Sequence, residues 1–230
     1  MRFRNVFGFS KVILPVVHVE SVSQALRNVG VARTAGADGV FLIGHDLNWT
    51  DLISVHLEVR TEHPELWVGL NLLDVKARFA MKFMRNVGSV DGLWTDNARI
   101  DEHVDEQFDA HRITDSRGAW PGLYFGGVAF KGQREVLDVA TAARLAVPFM
   151  DVVTTSGPAT GQGASVEKLR AMKEAVGDHP LAVASGVTVE TAPSILPHVD
   201  CVLVATGISS SFTEIDPAKA KDLVEVVHGS

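Results

Sequence analysis

The sequence predicts an α/β fold, a (β/α)₈ TIM barrel with a parallel eight-stranded core, and three observations carry that expectation. Short β-branched apolar runs alternate with longer amphipathic segments, eight such pairs follow one another, and no Pro- or Ser-rich linker interrupts the 230 residues. The strand runs are apolar throughout instead of alternating, as strands covered on both faces require. Units of roughly 29 residues suit a closed barrel, so residues 1–230 are expected to form one domain. A doubly wound open sheet is the competing arrangement of the same alternation.

The expected strands are Val12–Val19, Gly39–Ile43, Trp67–Leu73, Gly92–Thr95, Leu123–Phe130, Met150–Thr155, Leu181–Ala184 and Cys201–Ala205. The expected helices are Val22–Thr34, Thr50–Glu62, Val75–Asn86, Asp101–Asp115, Glu135–Val147, Ser165–Val176, Val189–Leu196 and Pro217–Val227. In the sixth of these, Val166, Leu169 and Met172 separate from Arg170 and Lys173, which gives an apolar and a charged face. Ser165 is an N-cap candidate without a full capping box, since Lys168 stands where Glu would complete one. Gly36, Gly88 and Gly177 follow helical runs where a left-handed residue can end a helix. Pro217 opens the last helix, where its missing N–H costs nothing.

Composition narrows the function classes. Hydrophobic residues make up 46% of the chain and charged residues 21%, enough apolar material for a core. Lys and Arg number 21 against 28 Asp and Glu, a net charge of −7, and no segment is strongly basic. Nucleic acid and anionic membranes are therefore not expected partners. The apolar run Val12–Val17 is too short and too polar at its flanks for a signal peptide, and no stretch is long enough to span a bilayer. A cytoplasmic protein is expected. Cys201, the sole cysteine, lies in an apolar run and reads as a buried, inert thiol.

In such a barrel, chemistry sits at the carboxyl ends of the strands and in the loops that follow them. The last two of these loops read Ser185-Gly186-Val187-Thr188 and Thr206-Gly207-Ile208-Ser209. Each puts a small residue and then Gly where a strand turns toward a helix, so exposed N–H groups can cradle a dianion. Ser185, Gly186, Thr206, Gly207 and Ile208 are thus the candidate phosphate ligands; tight turns alone would use the same glycines. The longer loop Thr154–Gly163, with Thr155, Gly157, Thr160 and Gly161, reads as a flap over that site or as a solvent loop. It lacks the Gly-Lys-Ser/Thr of a nucleotide P-loop.

Asp46, Asp96 and Lys131 are the catalytic candidates. Either aspartate could move a proton, orient a sugar hydroxyl, bind a metal or cap a helix, and Lys131 could pair with a carboxylate or second phosphate, form a Schiff base or remain solvated. His18 could carry a proton near neutral pH, while Asn71 and Asn97 offer hydrogen bonds. His18, His45 and Asp46 lack metal-site spacing, so no metal or other cofactor is predicted, and a divalent cation has no support.

Gly36–Val40 with Asp46, Gly69–Leu73, Gly92–Asn97, Gly126–Lys131, Asp151–Gly161, Ser185–Thr188 and Val204–Gly207 together resemble the BtpA family, which is named for a member implicated in photosystem I biogenesis. Thr155–Gly161 (TSGPATG) and Ser185–Thr188 (SGVT) are the distinctive stretches. The family's first-strand histidine leads into Pro-Leu-Pro-Gly, whereas His18 leads into Val19-Glu20-Ser21, and its acidic residue and asparagine after the second strand are replaced around Ile43-Gly44-His45. The resemblance implies a barrel related to phosphate-binding enzymes such as phosphoribosylanthranilate isomerase, without naming a reaction. The expectation is an enzyme for a phosphorylated sugar or nucleotide-like metabolite, working by isomerase, lyase or glycosyl-transfer chemistry. The alternative is a non-catalytic assembly or regulatory factor that keeps a ligand pocket. Apolar residues on the outer helices are compatible with a homo-oligomer.

Overall fold

A computed structural model describes residues 2–8, 10–159 and 161–230. Its strands β1 (Val12–His18), β2 (Val40–Ile43), β3 (Val68–Asn71), β4 (Gly92–Thr95), β5 (Leu123–Gly127), β6 (Val152–Ser156), β7 (Leu181–Ala184) and β8 (Cys201–Val204) form one closed parallel barrel in chain order. Closure is made by β1 against β8, with Val12 opposite Cys201 and Leu14 opposite Leu203. The closed barrel replaces the open sheet as the reading of the alternation. Among the described residues no helix is long and apolar enough to cross a membrane.

Helix α1 (Arg2–Phe7) precedes the barrel, and α2 (Val22–Ala35), α3 (Trp49–Glu62), α4 (Ala77–Met84), α5 (Phe108–Arg117), α6 (Val139–Ala146), α7 (Val166–Val176), α8 (Ala192–Ile195) and α9 (Pro217–His228) follow β1 to β8. Among the helices that start later than expected, α5, α6 and α8 are displaced most. Gln107 folds the stretch before α5 into a loop, accepting from Asp101 N (2.9 Å) and donating to Asp101 O and Val104 O (2.8 and 2.6 Å). Asp138 caps α6 by accepting from Thr141 N at 2.9 Å, so Glu135–Leu137 stay outside it. Pro193 opens α8, and its four residues pass into a 3₁₀ turn, Leu196–His198, that contains Pro197. Ser165, Gly36, Gly177 and Pro217 cap or open their helices as expected. Gly88 does not: α4 ends at Met84 with Arg85 as its cap.

Side chains alternate between two layers. Ile13, Val17, Leu42, Leu70, Leu93, Val153, Val183 and Val202 pack outward against the helices. Val12, Leu14, Phe41, Phe125, Val152, Ala182, Cys201 and Leu203 fill the interior. Aromatics on one side are matched by glycines on the other. The Phe41 ring lies 5.1 Å from Phe125 and 5.7 Å from Trp94, and a Cβ on Gly69 would stand 2.3 Å from the Phe41 ring. Phe3 of α1 plugs the amino end of the barrel, its ring 6.3 Å from Phe125. Cys201 is buried in this interior, where burial and the carboxylates of Asp38 and Asp200 push its thiol pKa well up.

A repeated clamp closes the same end. Asp38, Asp91, Asp151 and Asp200 each stand just before an even-numbered strand and accept, through Oδ2, from the N–H of Ile13, Val68, Tyr124 and Leu181, at 2.8, 2.8, 2.8 and 2.9 Å. Each aspartate also returns its own N–H to the carbonyl of that residue. A base from the end of the helix two strands earlier in the ring completes each unit. Arg60 pairs with Asp91, Arg117 with Asp151 (2.7 Å), Lys173 with Asp200 (2.7 Å) and His228 with Asp38 (3.1 Å). The barrel is thus pinned four times by one device, and Arg4 of α1 adds a second cation on Asp200 at 2.8 Å.

Candidate functional site

At the opposite end the interior stops at Ile43, Trp94, Ala184 and Leu203, and above them opens a cavity of 400 Å³. His18, His45, Asp96, Lys131, Ser185, Thr206 and Phe212 complete its wall. Even-numbered β1 residues face inward, which brings His18 to the rim. Inward-facing Trp94 on β4 likewise carries Asp96 there two residues on. Asn71 at the end of β3 donates from Nδ2 to Asp96 Oδ1 at 2.9 Å. Burial pushes the Asp96 carboxyl above the usual carboxylate range, and the Asn71 amide, Lys131 and His45 oppose that shift without cancelling it. Lys131 is half-buried, and its N–H is fixed by Ser156 Oγ at 2.8 Å.

Burial, then the neighbouring His45 and Lys131, lower the pKa of His18 to about 4, so its imidazole is neutral. Its ring lies 5.0 Å from His45 and 4.3 Å from Phe212, and His45 lies 5.3 Å from Phe212. These three rings form a partly exposed aromatic cap at the mouth. His45 and Phe212 were not among the expected site residues.

A second cavity of 370 Å³ lies between the loops after β6, β7 and β8. Gly161, Gly163, Gly186, Thr188, Thr191, Ser194, Thr206 and Gly207 line it, and Thr206 is shared with the mouth. Ser185 and Gly186 both adopt left-handed backbone, φ 81° and 71°. A Cβ on Gly186 would stand 2.3 Å from Gly163 Cα, and one on Gly207 would stand 1.9 Å from Val187 O. These glycines are therefore required by the packing of the loops on one another, with or without a ligand. Of the lining hydroxyls, those of Thr188, Thr191 and Ser194 already donate to Glu190 Oε2, Gly186 O and Thr191 O, at 2.6, 3.1 and 2.8 Å.

Other candidates are placed differently. Ile208 is buried in the helix-side core and spends its N–H on Ala205 O at 3.0 Å. Thr155 is buried on the helix side of β6, donating to Ala129 O at 3.2 Å, whereas Thr154 takes the inward position. Asp46 is exposed and does not line the mouth, and α3 is capped by Asn48 instead. Asn97 accepts from Arg99 N at 2.8 Å and lines a 160 Å³ cleft with Asn71 and Asp96. Gly157 is buried, where a Cβ would stand 2.0 Å from Gln162 O. Thr160 lies outside the described residues. Asp101, Glu102 and His103 bring ligand atoms within 4.8 Å of one another, but Arg134 already pairs with both carboxylates.

The geometry defines a (β/α)₈ barrel with its cavities at the carboxyl ends of the strands, and solved structures share that fold. The chain is similar to phosphoribosyl anthranilate isomerase from Thermus thermophilus at 10% identity and a TM-score of 0.66, over 95% of this chain and 98% of that one. It is similar to orotidine 5'-monophosphate decarboxylase from Methanocaldococcus jannaschii at 15% identity and a TM-score of 0.71, over 95% and 99% of the two chains. A third similar structure is (S)-3-O-geranylgeranylglyceryl phosphate synthase from Thermoplasma acidophilum in complex with sn-glycerol-1-phosphate, at 13% identity and a TM-score of 0.69, over 100% and 97%. No protein-family model matches the chain, and no curated protein matches its sequence.

Proposed function

We propose that the protein is an enzyme for a small phosphorylated metabolite, sugar- or nucleotide-like. Its phosphate sits in the cavity between the loops after β6, β7 and β8, and its reacting part sits in the mouth. The observation that carries this reading is the junction of the two cavities at Thr206: one is a concave pocket walled by glycine backbone and the Thr206 side chain, the other holds Asp96 and Lys131. Two further facts support it. The stretches that resemble the BtpA family, Thr155–Gly161 and Ser185–Thr188, fall on the loops of the phosphate cavity. The similar solved structures carry names of enzymes whose substrates are phosphate esters.

Asp96 is the proton-transfer group, since partial burial raises its pKa toward the range where a carboxylate can both take and return a proton. Asn71 positions it. Lys131 supplies positive charge to an oxyanion formed in the mouth, and neutral His18 offers a hydrogen bond. Such a set suits isomerisation, aldol-type cleavage or glycosyl transfer.

Thr206→Glu tests the placement, because Thr206 is exposed and the new carboxylate would face the phosphate. The expected result is at least a tenfold loss of affinity for phosphate esters, measured by calorimetry, with an unchanged melting temperature. Unchanged affinity would remove the phosphate from this cavity.

A further inference from the structure

We propose that the 550 Å³ cavity between the loops after β5 and β6 is a second anion site, with Lys168 as its cation and a phosphate or carboxylate group as its ligand. Lys168 leaves the first turn of α7 and ends between two carbonyls, donating to Ala129 O at 2.6 Å and Ser156 O at 2.7 Å. Ala129, Ser156 and Lys168 all line the cavity, so the ammonium sits in its wall. Ala129 is held in left-handed backbone at φ 48°, and its carbonyl also accepts from Thr155 Oγ1 at 3.2 Å. Both loops are thus organised around this one amine.

An ammonium has three donors, and here two of them are spent on neutral acceptors. Its charge has no carboxylate partner among the described residues: burial is the sole cause that lowers its pKa, to about 8. A partly buried cation without a counter-charge is costly, and an anion entering the cavity relieves that cost. Lys131 and Arg134 add positive charge to the wall, although Arg134 is already paired with Asp101 and Glu102, and Glu135 opposes them. The cavity shares Lys131 with the mouth and Gly163 and Ala164 with the phosphate cavity. Its anion is therefore either the far end of a substrate lying in the mouth, which rests on the proposed function, or a separate small anion, which does not.

The test uses the whole chain and inorganic phosphate as the probe. Lysines are acetylated with acetic anhydride and the rates read by mass spectrometry, with and without saturating phosphate. The expected result is at least tenfold slower acetylation of Lys168, with no change at exposed Lys221. The same protection is expected in the Thr206→Glu protein, whose phosphate cavity is blocked, so this site stands even if the proposed phosphate cavity does not. Phosphate bound by calorimetry with no protection of Lys168, or protection abolished by Thr206→Glu, overturns the proposal. In the Lys168→Met protein one phosphate per chain should be lost, with recovery in Lys168→Arg; undiminished stoichiometry overturns it as well. An alkanediol bisphosphate that binds at least tenfold tighter than the alkyl monophosphate, with the gain lost in Lys168→Met, assigns the site to a substrate's far end. Equal affinity assigns it to a separate anion.

Discussion

At the amino ends of the strands, Asp38, Asp91, Asp151 and Asp200 each hold a backbone N–H and a basic side chain. At the carboxyl ends, Asp96 holds a neutral amide and Lys168 two neutral carbonyls. The first arrangement gives each carboxylate a backbone donor and a basic neighbour; the second leaves Lys168 among neutral acceptors. One end is built for closure of the barrel, the other at some cost to it, which is the division expected of a barrel whose chemistry lies above its strands.

The largest effect that could break this comparison is at the paired end. Asp151→Ala leaves Arg117, whose side chain is only 12% exposed, without its partner and removes the acceptor of Tyr124 N–H. Breaking such a pair from one side costs about 3–5 kcal/mol. Urea unfolding should show a loss of that size, while the folded fraction keeps its full affinity for phosphate esters. A loss below about 1 kcal/mol, the range of surface pairs, would reduce the clamp to a surface contact.

The next effect lies in the mouth. Asp96→Asn should reduce turnover by about 10²–10⁴-fold, the range for a general acid or base, once a substrate is in hand. Asn71→Ala sharpens the point. Removing an amide that favours the carboxylate raises the Asp96 pKa further, so the acid limb of the pH–rate profile should move to higher pH. A limb that stays where it was would separate Asn71 from the titration of Asp96.

The sequence made the strands legible because each is a short apolar run bounded by turn residues, and Gly36, Ser165 and Pro217 marked helix ends by local chemistry alone. His18, Asp96, Lys131, Ser185 and Thr206 could be picked out because strand-end position is a one-dimensional property. Phe212 could not: it sits in a polar loop and reaches the site only because that loop folds back onto β1. Lys168 stood out only as the residue in place of a capping-box Glu, since its burial depends on the loop after β5. The clamps left a trace, an aspartate before each even strand in Ala37-Asp38-Gly39, Val90-Asp91-Gly92, Met150-Asp151-Val152 and Val199-Asp200-Cys201. Their bases lie at unequal distances along the chain, so the fourfold pattern emerges only in space. Thr155 follows inward-facing Thr154 on β6, and its place on the helix side follows from that alternation.

The smallest effect, and the one that bears on both ends at once, is in the pH dependence of stability. Asp200 is buried, which alone would raise its pKa, but its bond to Lys173, the Leu181 N–H and the charge of Arg4 outweigh burial and hold it below the usual carboxylate value. Its contribution is complete above about pH 4, the ordinary aspartate value, and is lost as the pH falls through the lowered folded pKa. Asp96 runs the other way. Its folded pKa is raised, so its contribution is present below about pH 4 and is lost as the pH rises through the raised value. Melting curves of wild type, Asp200→Asn and Asp96→Asn across this range should therefore give difference curves of opposite slope. Asp200→Asn should destabilise most at neutral pH and least in acid, whereas Asp96→Asn should be neutral in acid and mildly stabilising at pH 7. Parallel slopes would mean that the two ends treat their carboxylates alike, and the contrast between them would go.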